Sequence, residues 1–133
     1  MTLGVLTSDL FDAAFAEMGR RATADPRSGH AIFFLALKPI LARLADPAYA
    51  LAANTVLAKK GNHELHRVRR LKFPPTGRLF YLATAEHSIV YVLEMGYRQP
   101  GLPSDAYEEL AKHLREGRHD AHFSAIGLPR PRY

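Results

Sequence analysis

The sequence predicts an α+β fold: a small single domain whose antiparallel sheet of about four strands packs against two to three N-terminal helices and one C-terminal helix. Three observations predict it. The chain has 133 residues, enough for one domain with a modest core. Its first half repeats apolar residues at helical spacing, and from Leu65 the pattern changes to strand alternation. The links between those strands are short, which favours antiparallel neighbours.

Leu3-Gly4-Val5-Leu6 is short, apolar and partly β-branched, and reads as a first strand. Ser8 suits an N-cap, and Asp9 suits the positive end of a helix dipole. Leu10, Phe11, Ala14, Phe15 and Met18 then recur at helical spacing, up to about Arg20-Arg21. Residues 22–30 are loop-like in composition. Ala31 to Ala45 reads as a second helix that Pro39 kinks or splits, closed by Asp46-Pro47. Tyr49 to Lys59 is Ala-rich and predicts a third helix stopping at Gly61.

Leu65–Phe73, Arg78–Ala83 and Ile89–Tyr97 read as three strands of a meander, linked by residues 74–77 and 84–88. Ideal alternation puts Ile89, Tyr91, Leu93, Met95 and Tyr97 on one face of the last strand. Val90, Val92, Glu94, Gly96 and Arg98 take the other. After the Pro/Gly break at 99–103, Asp105 and Glu108 make a capping-box-like start to a helix reaching about Glu116. Residues 1–116 form the predicted domain, and 117–133 a tail that is partly ordered or a loose arm.

Charge is concentrated. Lys59, Lys60, Arg67, Arg69, Arg70, Lys72 and Arg78 oppose only Glu64, a segment charge of +6. The chain carries +5, so the remainder sums to −1. A basic field on a sheet favours polyanions, with nucleic acid ahead of an anionic membrane or an acidic protein. There are no cysteines, which excludes disulfides and thiolate metal sites and suits a reducing cytoplasm. No signal peptide is read at the N-terminus. The longest apolar run, Ala31 to Leu37, is far below the roughly 18 residues of a membrane span, so no membrane role is expected.

Arg67 and Arg69 share one face of an ideal strand, Arg70 and Lys72 the other. Both faces cannot be core, so a bulge or a partly exposed sheet is expected. The alternative is a solvated strand whose charges deter edge pairing. Arg98 ends an apolar strand, where its guanidinium can fork onto a phosphate or pair with Glu94. Tyr91 and Tyr97 read as core. Tyr107 is the better candidate for stacking on a base or moving a proton. No metal site is predicted: His63 and His66 do not form HExxH, and His113, His119 and His122 lack an obvious scaffold. A neutral His66 or His113 near a phosphate is the stronger histidine reading. No phosphate-binding GxxxxGKS/T, no dinucleotide GxGxxG and no nucleophile GxSxG occurs.

The order of elements resembles the RelE/ParE superfamily of bacterial toxin–antitoxin toxins. Residues 65–107 carry the resemblance: Leu65-His66-Arg67-Val68-Arg69-Arg70-Leu71-Lys72-Phe73, Gly77-Arg78-Leu79-Phe80-Tyr81, Val90 to Arg98, and Asp105-Ala106-Tyr107. The resemblance implies strands curved around a basic cleft with helices on the other face. It implies a cytoplasmic toxin, held by a cognate antitoxin, that cuts mRNA in the ribosomal A site. The implied reaction is attack of a ribose 2′-OH on the adjacent phosphodiester, with no metal or other cofactor. It assigns phosphate binding to Arg69, Arg70 and Lys72, with Arg67 beside them. It assigns transition-state stabilisation to Arg98 with Arg78, and stacking or proton transfer to Tyr107. Two alternatives remain: a non-catalytic relative that poisons DNA gyrase, and a basic nucleic-acid-binding module without toxicity.

Overall fold

The computed structural model describes residues 2–52, 55–60, 63–84 and 86–132. In chain order the elements are β1 (Gly4–Thr7), α1 (Asp9–Ala24), α2 (Gly29–Arg43), α3 (Pro47–Ala52) and β2 (Thr55–Lys60). They continue with β3 (His63–Phe73), β4 (Gly77–Ala83), β5 (Ile89–Tyr97), α4 (Ala106–Arg115) and α5 (Asp120–Ala125). The strands form one sheet in the order β1-β5-β4-β3-β2. The meander β2 to β5 is antiparallel, and β1 joins its edge parallel to β5. The α+β class stands, as a mixed five-stranded sheet.

The N-terminal helices start where their caps are. Ser8 Oγ accepts from Phe11 N–H at 3.1 Å and donates to the Leu93 carbonyl, which fixes α1 to β5. Ser28 Oγ accepts from Ala31 N–H at 3.2 Å and starts α2 two residues before the expected position. α2 runs unbroken through Pro39. Pro39 and Leu35 both face water, so the carbonyl that loses its partner is solvated.

Residues 55–60 form a strand, not the end of a helix. The Ala-rich stretch yields only the six-residue α3, and Thr55, Val56 and Leu57 pair with Arg70, Arg69 and Val68 of β3. Pairing to a neighbouring strand overrides the helix propensity of the alanines. Gly61, the expected stop, lies outside the described residues.

Two irregularities set the faces of the sheet. In β3, Leu57 pairs with Val68 but Lys59 pairs with Glu64, so β3 carries extra residues there. His66 and Arg67 occupy them, with φ of 49° and 65°. This bulge is one of the two alternatives that the charge pattern predicts, and beyond it Arg69 and Arg70 still point to opposite faces. In β5, Val92 pairs with Tyr81 and Glu94 with Phe80, which leaves Leu93 as an extra residue. Strict alternation along β5 therefore fails. Val90, Val92, Met95 and Tyr97 face α1 and α2, whereas Tyr91, Leu93 and Glu94 face α4 and α5.

Both faces of the sheet are covered. On one, Leu71, Phe73, Leu79 and Tyr81 pack with Phe11, Met18, Leu37 and Leu44 of the N-terminal helical layer. On the other, Val68, Phe80, Leu82 and Leu93 pack with Leu110 and Leu114 of α4 and with Phe123 and Ile126. Each fully buried Leu or Phe side chain contributes roughly 1.5–3 kcal/mol. Gly96 permits the second layer, because a Cβ there would lie 3.1 Å from the Ala106 Cβ at the start of α4. Phe123 is 1% exposed and Ile126 fully buried, so residues 120–126 pack into the core. No helix among the described residues is long and apolar enough to cross a membrane.

Candidate nucleic-acid interface

The basic residues separate into three places. Arg69 pairs with Tyr81 across the sheet and points toward the N-terminal layer. There its Nε donates to the Ala83 carbonyl at 3.1 Å and its Nη1 to the Leu51 carbonyl at 3.0 Å. These bonds tie β3 to α3, so Arg69 works inside the fold. Arg67, exposed on the bulge, lines a cavity of about 510 Å³ that Arg69 also borders, together with His66, Glu64 and Arg130.

Arg70, Lys72, Arg78 and Arg98 lie on the α4 side at one end of the sheet. Arg70 pairs with Phe80, and Lys72 with Arg78. Arg78 in turn pairs with Gly96, two residues before Arg98. The Arg98 N–H donates to the Thr76 carbonyl at 2.8 Å, which extends the register past the end of β5.

Tyr107 joins the two ends of this group. Its hydroxyl accepts from Arg70 Nη1 at 3.1 Å, and the Arg98 guanidinium lies 5.2 Å from its ring centroid. A guanidinium at that range is attracted by the ring quadrupole. The Tyr107 ring also meets Phe80 edge-on at 5.4 Å. Tyr107 is only 2% exposed, so it holds the arginines from beneath. Lys72 is exposed, and among the described residues the polar partner of Arg78 is the Gly77 carbonyl at 3.0 Å. Among the described residues neither of these two cations is paired with a carboxylate, and the Nε of Arg78 is buried without a hydrogen-bond partner.

The partner of Arg98 is Asp105 and not Glu94, at 2.7 Å. Asp105 is buried and also accepts from the backbone N–H groups of Gln99 at 2.6 Å and Tyr107 at 3.1 Å. Burial alone would raise its carboxyl. The Gln99 N–H, the Arg98 guanidinium and the Tyr107 N–H together hold it below the ordinary aspartate value. Sequence reading found Asp105 as a helix cap and missed its second role. The Pro/Gly break at 99–103 marks a turn, but its local pattern does not say that the turn returns Asp105 to Arg98.

Glu94 has a different setting, one that sequence reading also missed. It faces the C-terminal helices, with Oε1 2.9 Å from His113 Nδ1 and Oε2 2.5 Å from His119 Nε2. His119 Nδ1 is 3.0 Å from His122 Nδ1. Burial and the neighbouring His119 lower the pKa of His122, opposed by Asp9. The signal available beforehand was a carboxylate within an otherwise apolar strand. His113 is thus engaged with Glu94, while His66 lies on the bulge beside the cavity that Arg67 lines.

No protein-family model, curated protein or solved structure matches the chain, so nothing identifies it as a member of the family it resembles.

Proposed function

We propose that this protein is a toxin of the RelE/ParE kind that acts on mRNA at the ribosome and is restrained by an antitoxin in the cytoplasm. The observation that supports this reading is the set of four cations, Arg70, Lys72, Arg78 and Arg98, on adjacent strand positions at one end of the sheet. Such a set suits the repeating charge of an RNA backbone. In the reaction, the ribose 2′-oxygen bonds to phosphorus as its proton passes to a base, and the 5′-oxygen leaves and takes a proton. Arg98 and Arg78 offset the charge that builds on the non-bridging oxygens. Tyr107 positions Arg70 and Arg98. Arg67, on the bulge, serves a neighbouring stretch of RNA, and Arg69 maintains the strand that carries both.

A second reading is favoured by one feature. Tyr107 is buried and Arg98 is tied to a buried carboxylate, as scaffold residues would be. In that reading the protein poisons a protein target such as DNA gyrase and cuts nothing.

Induction of the gene followed by mapping of mRNA 5′ ends separates the readings. The expected result is growth arrest with new mRNA ends and a fall in translation that precedes any fall in DNA synthesis. Arrest with intact mRNA and DNA damage would favour the gyrase reading. Unimpaired growth at verified expression would remove both and leave a basic nucleic-acid-binding module.

A further inference from the structure

The buried cluster around Glu94 lies apart from the arginines and has its own chemistry. We propose that Glu94, His113 and His119 bind one divalent transition-metal ion of the zinc class. Each residue comes from a different element: Glu94 from β5, His113 from α4, and His119 from the residue that precedes α5.

The donor set and its spacing fit. Two imidazole nitrogens and one carboxylate oxygen are a common three-residue zinc set, with metal–ligand bonds of roughly 2.0–2.2 Å. One such atom from each residue lies within 4.8 Å of the other two, among the described residues. An ion between them needs only small side-chain movements. His119 is fully buried and Glu94 is 7% exposed.

The surroundings supply a second argument. A histidine that coordinates through one nitrogen carries its proton on the other, and that N–H needs an acceptor. His113 coordinating through Nδ1 would turn Nε2–H toward Glu109, whose Oε2 lies 3.7 Å away. His119 coordinating through Nε2 would turn Nδ1–H toward His122 Nδ1, at 3.0 Å. The Glu109 carboxylate is an acceptor, and His122 Nδ1 is one in the tautomer that carries its proton on Nε2. Without an ion, a neutral His113 that donates to Glu94 would present a lone pair to the Glu109 carboxylate.

Charge supplies the third. Glu94 is a buried carboxylate whose hydrogen-bond partners among the described residues are the imidazoles of His113 and His119, and a buried carboxylate needs a cation beside it. A divalent cation meets that need. The ion would also join the chain after the Gly117 turn, where φ is 75°, to the centre of the sheet. Its role is to hold residues 117–126 against the core, and it is independent of the proposed action on RNA.

The test uses the untagged full chain. Elemental analysis after growth with zinc should give close to one zinc per chain, and chelation should lower the melting temperature reversibly. Cobalt(II) added to the chelated protein should give the visible bands of a four-coordinate site. Glu94→Gln and His119→Gln should abolish binding. Should these variants fail to fold, Glu109→Gln, altered at a half-buried side chain, should still fold and bind zinc about tenfold more weakly. Absence of retained zinc, of cobalt bands and of any melting shift in the wild-type chain would overturn the proposal. Undiminished binding by folded Glu94→Gln and His119→Gln chains would overturn it too, by locating the ion elsewhere.

Discussion

Arg98 donates to the carboxylate of Asp105 across 2.7 Å, and that carboxylate also caps the first turn of α4 through the Tyr107 N–H. One buried acid thus fixes the end of β5, the turn after it and the helix that covers the sheet. It also orients the guanidinium that the resemblance places at a reacting phosphate. A cation so held is pre-aimed, but it already has a counter-ion.

Asp105→Ala is therefore expected to destabilise the fold more than Arg98→Ala. The first removes a helix cap, worth about 0.5–2 kcal/mol, together with the partners of Arg98 and the Gln99 N–H. The second leaves Asp105 two backbone donors, and costs about 1 kcal/mol. Urea unfolding of both single variants and the double variant measures the coupling between them. Strict additivity would show that the pair contributes nothing to stability.

Acid should weaken the same contact. The folded Asp105 carboxyl titrates below its ordinary value of 3.8, so it adds stability at pH above 3.8. That stability is lost as pH falls from 3.8 through the folded value. Asp105→Asn keeps a capping oxygen without a titrating group. The stability difference between wild type and Asp105→Asn should shrink on acidification over this range. A difference that stays constant would exclude Asp105 as an acid-sensitive contact.

Phe123→Ala should cost about 3–5 kcal/mol, the usual range for emptying a buried phenylalanine site. The side chain is 1% exposed and packs in the layer formed by Val68, Phe80, Leu110 and Leu114. Calorimetric or urea unfolding gives the value. A loss under 1 kcal/mol would mean that residues 120–126 do not contribute to the core.

Much of this fold is legible in the sequence because it rests on local patterns. Alternation marks β3, β4 and β5, and Ser8 and Asp105 mark helix starts. What was not legible depends on distant partners. The strand at Thr55–Lys60 exists by pairing with β3, and the alanines that precede it in the sequence argue locally for a helix running on. The extra residue Leu93 reverses the faces of β5 and becomes visible only in register with β4. The candidate site divides in the same way. The charge run placed Arg70, Lys72 and Arg78 on neighbouring strands. The engagement of Arg69 with α3 and the meeting of Glu94 with His113 and His119 depend on how helices close over the sheet.

The cations best suited to test RNA binding are Lys72 and Arg78, because neither carries the fold as Arg69, Arg98 and Arg70 do. Lys72 is exposed, and among the described residues the Nη1 of Arg78 bonds to the carbonyl of its neighbour Gly77. Lys72→Gln and Arg78→Gln should leave unfolding within about 0.5 kcal/mol of wild type. Each should weaken binding to single-stranded RNA and lower the slope of log K against log salt by about 0.7, the share of one phosphate contact. Arg27→Gln, exposed in the turn between α1 and α2, supplies the control and should change neither quantity. The comparison separates a local interface from general attraction to a basic protein. General attraction would make all three variants lose affinity alike, because each removes one positive charge. Only a phosphate seated at the end of β3 and β4 makes Lys72 and Arg78 differ from Arg27, and equal losses would remove that end of the sheet as the binding site.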